Sequence, residues 1–179
     1  MKRWQPWVAG FLVLCLCGSA KATGFGEGAH YSYVHNRDID DNSGMKGLMA
    51  RLRSGFFGLE TAVDYRTDDM SDGAKLKTWP VTVSAMFYPL PLVYGLVGLG
   101  LYNSTLDFPS SSPYSDKTDS DLGYLYGAGF EMPLVPLVKL TGDFRYHFVN
   151  YRFADIPASI GKVNANAFAI NAGFIVYLK

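Results

Sequence analysis

The chain has 179 residues, with 16 Lys and Arg against 16 Asp and Glu, 15% aromatic residues, 19 glycines and 2 cysteines. Balanced charge gives no electrostatic case for nucleic-acid binding, and the length fits a single domain. Apolar residues make up 49% of the chain, yet no uninterrupted apolar stretch reaches the roughly 20 residues of a membrane-spanning helix.

Lys2 and Arg3 precede an apolar run from Trp7 through Phe11 to Cys17, followed by Gly18, Ser19 and Ala20. This three-part build predicts a cleaved secretory signal over residues 1–22, cut after Ala20 or after Ala22. Leu14 and Leu16 precede Cys15 and Cys17 where a lipoprotein signal would place a small residue, which argues against lipidation. Removal of the signal takes both cysteines with it, so residues 23–179 hold no disulfide framework and no thiolate metal site. Lys2, Arg3 and Lys21 leave too, moving the net charge from 0 to about −3.

The rest of the chain reads as eight strands of period two. In strand one, Gly26 to Val34, Ala29, Tyr31 and Tyr33 alternate with Gly28, His30 and Ser32. A polar loop over His35 to Ser43 precedes strand two, Met45 to Arg53, where Leu48, Ala50 and Leu52 oppose Met49, Arg51 and Arg53. A tight turn at Ser54 and Gly55 reverses the chain. Strand three sets Phe57, Leu59, Thr61, Val63 and Tyr65 against Gly58, Glu60, Ala62, Asp64 and Arg66.

A second polar loop, Thr67 to Lys75, leads to strand four, Leu76 to Tyr88. There Trp79, Val81, Val83, Ala85 and Phe87 oppose Thr82, Ser84 and Met86. Pro80 lacks a backbone donor, so a bulge or a place beyond the paired region is expected for it. After a turn at Pro89, Leu90 and Pro91, strand five, Val93 to Tyr102, sets Val97, Leu99 and Leu101 against Gly98, Gly100 and Tyr102. The longest loop, Asn103 to Asp121, is rich in Pro, Ser and Asp.

Strand six opposes Tyr124, Tyr126, Ala128, Phe130 and Met132 to Gly123, Leu125, Gly127, Gly129 and Glu131, and turns at Pro133 to Pro136. Strand seven opposes Val138, Leu140, Phe144, Tyr146 and Phe148 to Lys139, Thr141, Asp143, Arg145 and His147, with Gly142 interrupting its apolar face. A loop over Asn150 to Lys162 returns to the last strand, Val163 to Lys179. There Phe168, Ile170, Ala172, Phe174, Val176 and Leu178 share one parity, while Ile175 falls on the other.

Short turns alternating with long polar loops, an even strand count and aromatics near strand ends, among them Tyr33, Tyr65, Trp79, Tyr124, Tyr146 and Phe148, are the marks of a barrel that crosses a bilayer. A soluble eight-stranded calyx shares the alternation but turns the apolar face inward. That arrangement would crowd Phe, Tyr and Trp from every strand into a narrow lumen, so the lipid-facing arrangement fits better.

The end of the chain carries a resemblance. Asn171, Gly173, Val176 and Leu178 fit the polar, any, glycine, any, any, hydrophobic, any, hydrophobic insertion signal of bacterial outer-membrane β-barrel proteins. That family usually ends on an aromatic, whereas Lys179 follows Tyr177 and Leu178 here. Residues 23–179 as a whole resemble the small eight-stranded barrels grouped around OmpA, OmpX and OmpW. The resemblance implies an all-β, eight-stranded antiparallel up-and-down transmembrane β-barrel, inserted by the barrel assembly machinery among outer-membrane lipid and lipopolysaccharide. It implies roles such as anchoring, surface adhesion or passage of small hydrophobic molecules.

The inward parity collects Arg51, Arg53, Glu60, Asp64, Arg66, Glu131, Lys139, Asp143, Arg145 and His147. Mixed signs in a narrow lumen should pair, because an unpaired charge there is costly. A structural network that plugs the barrel is favoured over a gate whose pairs exchange to open a pore, since eight strands leave little room for water.

A lipid A-modifying enzyme is a further alternative. His147-Phe148-Val149-Asn150 is similar to the His-x-Ser-Asn element of outer-membrane lipid A deacylases, but Val149 stands where the serine nucleophile should be. His30-Tyr31-Ser32 offers a His and a Ser on the inward face, with no carboxylate fixed beside them by sequence. The acidic clusters Asp38, Asp40 and Asp41, then Asp68, Asp69 and Asp72, then Asp116, Asp119 and Asp121 read as solvated loop tips. They lack the spacing of a calcium loop, although carboxylates so grouped could bridge divalent cations to lipopolysaccharide phosphates. No zinc-ligand spacing or phosphate-binding glycine loop is present. The sequence thus predicts a non-enzymatic barrel acting through its extracellular loops, with no cofactor, no metal and no nucleic-acid partner.

Overall fold

The computed structural model describes residues 24–36, 41–69, 75–107, 117–152, 162–164 and 166–178. Its strands are β1 (Gly24–Asn36), β2 (Asp41–Ser54), β3 (Phe57–Asp69), β4 (Lys75–Leu90), β5 (Val93–Asp107), β6 (Lys117–Pro133), β7 (Val138–Phe148), β8 (Asn150–Arg152), β9 (Lys162–Asn164) and β10 (Ala167–Leu178). Eight of them close a barrel in the order β1, β10, β7, β6, β5, β4, β3, β2, while β8 and β9 pair with each other. Every pairing is antiparallel, and β10 closes the barrel on β1, with Tyr33 opposite Ile170 and Phe25 opposite Leu178. Closure leaves no strand edge, so each backbone donor and acceptor can be met within the wall. The predicted signal, residues 1–22, and Lys179 lie outside the described residues.

The parity predicted from sequence separates the two faces of the wall. Leu48, Val63, Val83, Val97, Leu99, Tyr126, Phe144, Ile170 and Phe174 are exposed on the outside. Met49, Ala62, Met86, Leu96, Leu125 and Ile175 are buried inside. Ile175 breaks the alternation of β10 because it packs with Met49 and Ala62 as part of the apolar filling. Near the long-connection end, Tyr124 stacks on Phe148 at 4.6 Å, and Phe148 meets Tyr146 edge-on at 4.7 Å, on the outer wall.

The strands are longer than the sequence suggests. β4 has 16 residues and β6 has 17, whereas about 9 to 11 tilted residues cross the hydrocarbon. Much of what reads as loop is therefore strand: Asn36 pairs Asp41, Asp69 pairs Lys75, Lys75 pairs Asp107, and Leu106 pairs Lys117. Strands standing clear of the membrane are polar on both faces, which erases the alternation that would reveal them. Asp41, Asp68, Asp69, Asp119 and Asp121 accordingly lie in strands, not at loop tips. Asp38, Asp40, Asp72 and Asp116 lie outside the described residues. Val163 and Asn164, predicted as the start of the last strand, instead pair with β8 as part of β9, and both β8 and Lys162 fall in the segment predicted as a loop.

The turns shift by a residue or two as well. Ser54 pairs Phe57, so Gly55 and Phe56 form the first turn. Gly55 takes φ 59°, the left-handed region that two-residue hairpins require and glycine supplies without strain. The next turn centres on Pro91 and Leu92, between the pair Leu90 and Val93, with a register shift before it. Pro80 needs no bulge. The β3–β4 register is the same on both sides of it, with Val63 opposite Val81 and Arg66 opposite Thr78, and the ladder omits only the two positions between. On its other side Pro80 stays paired, opposite Tyr102.

Candidate functional site

Inward-facing polar side chains gather toward the short-turn end of the lumen. The β2–β3 hairpin places Arg51 directly opposite Glu60, so its geometry follows from the turn at Gly55 alone. Arg51 grips Glu60 Oε2 with Nη2 at 2.5 Å and Nε at 3.1 Å. Its remaining arm crosses to β6, where Nη1 reaches Glu131 Oε2 at 2.7 Å. This pair links strands that are far apart in sequence.

Glu131 is the hub. Its Oε1 accepts from Arg53 Nη1 at 3.0 Å and Lys139 Nζ at 2.5 Å. Its Oε2 accepts from Tyr177 at 2.9 Å and Tyr88 at 3.2 Å as well as from Arg51. Arg145 lies 2.8 Å from Glu60 Oε1 as an ion pair whose N–H is not aimed at the oxygen, and bonds Asp143 through Nε at 2.7 Å and Nη2 at 2.9 Å. Asn171 and Tyr94 complete the shell of Asp143, at 2.6 and 2.8 Å. Guanidinium groups also lie over rings, Arg51 at 5.0 Å from the centre of Tyr94 and Arg53 at 3.9 Å from that of Tyr88.

Burial makes these bonds count. Arg51 is 0% exposed, and Glu60 and Glu131 are each 1%, so each ion must be matched within the protein or cost several kcal/mol. Tyr88, Tyr94 and Leu125 are equally buried and pack with Met86 and Leu96. The lumen is filled at this level by side chains.

Of the residues predicted to line the lumen, Arg51, Arg53, Glu60, Glu131, Lys139, Asp143 and Arg145 form this one connected cluster. The others lie apart from it. Asp64 Oδ1 sits 2.6 Å from His30 Nε2, His147 Nδ1 sits 2.6 Å from Tyr102 Oη, and Arg66 is half-buried on the same parity as Asp64. Tyr88, Tyr94 and Thr141 belong to the site but were not singled out from sequence; the even parity of β4 and β5, continued to the turn, would have pointed both tyrosines inward. Of the predicted insertion signal, Asn171 is bonded to Asp143, Gly173 lies against His30 and the Ala29 carbonyl, and Val176 and Leu178 are on the outer parity with Leu178 exposed.

His30 does have a carboxylate beside it, which the sequence did not place. Ser32 Oγ and His30 Nδ1 are both buried without a hydrogen-bond partner, so serine and imidazole are not joined as a nucleophile and base must be. Both face the lumen, away from acyl chains. Among the described residues, no group of three or more His, Cys, Asp or Glu is placed to hold a metal ion.

No curated protein sequence matches the chain. Among solved structures, it is similar to Neisserial surface protein A (TM-score 0.60, 16% identity, covering 86% of this chain and 95% of that one). It is also similar to the outer membrane protein OprG from Pseudomonas aeruginosa (TM-score 0.61, 17% identity, 89% and 98%). A third likeness is to Ail, the attachment invasion locus protein of Yersinia pestis (TM-score 0.52, 18% identity, 87% and 97%). At these identities the likeness is one of fold. Residues 9–175 match the family described as the outer membrane protein beta-barrel domain. With a closed antiparallel barrel, an apolar outer wall and that match over most of its length, the chain belongs to the outer membrane protein beta-barrel domain family and resides in the cell outer membrane.

Proposed function

We propose that the protein is a non-enzymatic surface-interaction barrel, whose lumen serves stability and whose long-connection end meets partners outside the cell. The observation that carries this reading is the polar extension of β3 to β6. There the ladder continues past Trp79 and Tyr102 to Asp69 opposite Lys75 and Leu106 opposite Lys117. Thr105 bonds Thr118 at 2.8 Å, Ser120 bonds Asn103 Oδ1 at 2.7 Å, and Asn103 Nδ2 bonds the Trp79 carbonyl at 3.2 Å. A braced polar platform standing clear of the bilayer suits recognition better than passage. Long connections of such barrels face outward, and the likeness to an attachment protein is compatible with adhesion.

The test is display on a non-adherent Gram-negative host. Expected is attachment to host cells or matrix that is lost when residues 104–119 are replaced by a short turn, with heat-modifiable gel mobility retained. Attachment equal to that of the empty host would overturn the reading.

A second reading, binding or passage of small hydrophobic molecules, draws on the interrupted β3–β4 ladder at Pro80. Pro80 and Asp64, the residues that the register places across this interruption, are both buried. Uptake of an apolar tracer into cells, raised by the wild-type protein and abolished by Pro80→Val, would favour this reading over the first.

A further inference from the structure

The three short turns, which join β2 to β3, β4 to β5 and β6 to β7, carry no charged residue. They read Ser54-Gly55-Phe56-Phe57, Pro89-Leu90-Pro91-Leu92-Val93 and Pro133-Leu134-Val135-Pro136-Leu137. Turns that stand in water draw on Gly, Asn, Asp and Ser. Here Phe56, Leu90, Leu92, Leu134, Val135 and Leu137 are all exposed, Phe56 at 65% and Leu134 at 67%. They run on into Phe57, Phe87, Val93 and Met132, exposed residues of the outer wall.

The backbone of these turns is equally suited to a medium without water. Pro89, Pro91, Pro133 and Pro136 bring no N–H to satisfy. The carbonyls of Phe56, Leu92 and Leu137 accept from the backbone N–H groups of Tyr88, Glu131 and Tyr177, each at 2.8 Å, and the Pro91 carbonyl accepts from Arg53 at 3.1 Å. The N–H groups of Leu134 and Val135 both donate to the Val138 carbonyl, at 2.9 and 3.1 Å. Unmet polar backbone is what keeps irregular chain out of hydrocarbon, and these bonds lower that barrier.

Strand length sets the level of the turns. The outward parity stays free of charge for nine residues on β3, Phe57 to Tyr65, nine on β5, Val93 to Leu101, and eleven on β6, Leu122 to Met132, before Thr67, Asn103 and Ser120 begin a polar surface. About 9 to 11 tilted residues cross the hydrocarbon, so each run fills it from the turn upward and leaves no length of strand to hold the turn below it. We propose that the three short turns are a lipid-contacting surface, seated among the acyl chains at the periplasmic boundary of the membrane and continuous with the outer wall. Among the described residues, Glu27, between Ala50 and Val176, is the outward charge nearest this end, and acidic groups are the charges that a barrel wall carries at least cost.

Full-length protein carrying Trp4→Phe, Trp7→Phe and Trp79→Phe has no tryptophan, and one is returned by Phe56→Trp or Leu134→Trp. Val97→Trp is the mid-wall reference and Thr105→Trp, on the polar extension of β5, the aqueous one. Each protein is refolded into phosphatidylcholine vesicles with or without bromine on the acyl chains, and folding is checked by heat-modifiable mobility; Leu92→Trp replaces a turn variant that fails this check. Expected is a loss of emission to brominated lipid at the turn positions within about twofold of that at Val97→Trp, with acrylamide in the water quenching Thr105→Trp far more than either. Quenching of the turn positions by acrylamide and not by bromine would place them in water and overturn the proposal. Protection from both quenchers would put a protein surface, such as a second copy of this chain, over the turns and would overturn it equally.

Discussion

Arg51 and Glu131, on β2 and β6, meet across the lumen at 2.7 Å with both side chains sealed from solvent. A charge so placed cannot be deleted singly without stranding its partners. Arg51→Met leaves Glu60 leaning on Arg145, and Glu131 on Arg53 and Lys139. The expected cost is about 3 kcal/mol or more, measured as a lowered denaturant midpoint in micelles. A change within experimental error would mean that the network contributes little to holding the strands.

The outer wall should reject charge where the lumen welcomes it. Val97 is 62% exposed on the apolar face of β5. Val97→Arg should cost about 2 to 4 kcal/mol at mid-bilayer depth, read by reversible unfolding from phospholipid vesicles. Lys46, exposed between Tyr31 and Tyr65 near the long-connection end, lies where such a charge is tolerated, so Lys46→Leu should change stability by less than about 1 kcal/mol.

Two glycines of β6 and β7 differ in what a methyl group would strike. At Gly127 an added Cβ would run into the Phe144 carbonyl, which is backbone and cannot swing away. At Gly142 it would sit 2.7 Å from Cζ of Phe130, the ring that covers this glycine on the outer wall. That ring can rotate into lipid. Gly127→Ala should therefore cost about 1 to 3 kcal/mol and Gly142→Ala clearly less, measured side by side by denaturant titration. The reverse order would refute the assignment of Phe130 as a cover for Gly142.

The unjoined Ser32 and His30 should be chemically silent. Lipid A extracted from cells producing the wild-type protein, Ser32→Ala or neither should give the same mass spectrum. A mass shift present with the wild type and absent with Ser32→Ala would make the protein an enzyme.

How far these features can be read from sequence depends on which residues carry the signal. The faces of the wall were legible because period two survives wherever one side meets lipid, as in Phe57, Leu59, Thr61 and Val63. The pair Arg51 and Glu60 was legible in principle from the hairpin register. Arg51 with Glu131 was not, since it depends on barrel closure and strand stagger, which no local pattern encodes. The same holds for His30 with Asp64, brought together across β2. Strand ends are hidden for the opposite reason: around Asp69, Lys75, Asp107 and Lys117 both parities of the sequence are largely polar, so no alternation marks the strand. Tyr177 and Ile175 were placed inward by parity, but their different partners, Glu131 for one and Met49 with Ala62 for the other, required the folded barrel.

The face of the wall that meets lipid decides the place of every side chain in the barrel. Methyl-labelled protein in nanodiscs containing nitroxide-bearing acyl chains tests it directly. The account predicts that Val97, Leu99 and Leu101 methyl resonances broaden strongly while those of Leu96, Leu125 and Ile175 persist. Broadening of the second set with protection of the first would contradict it.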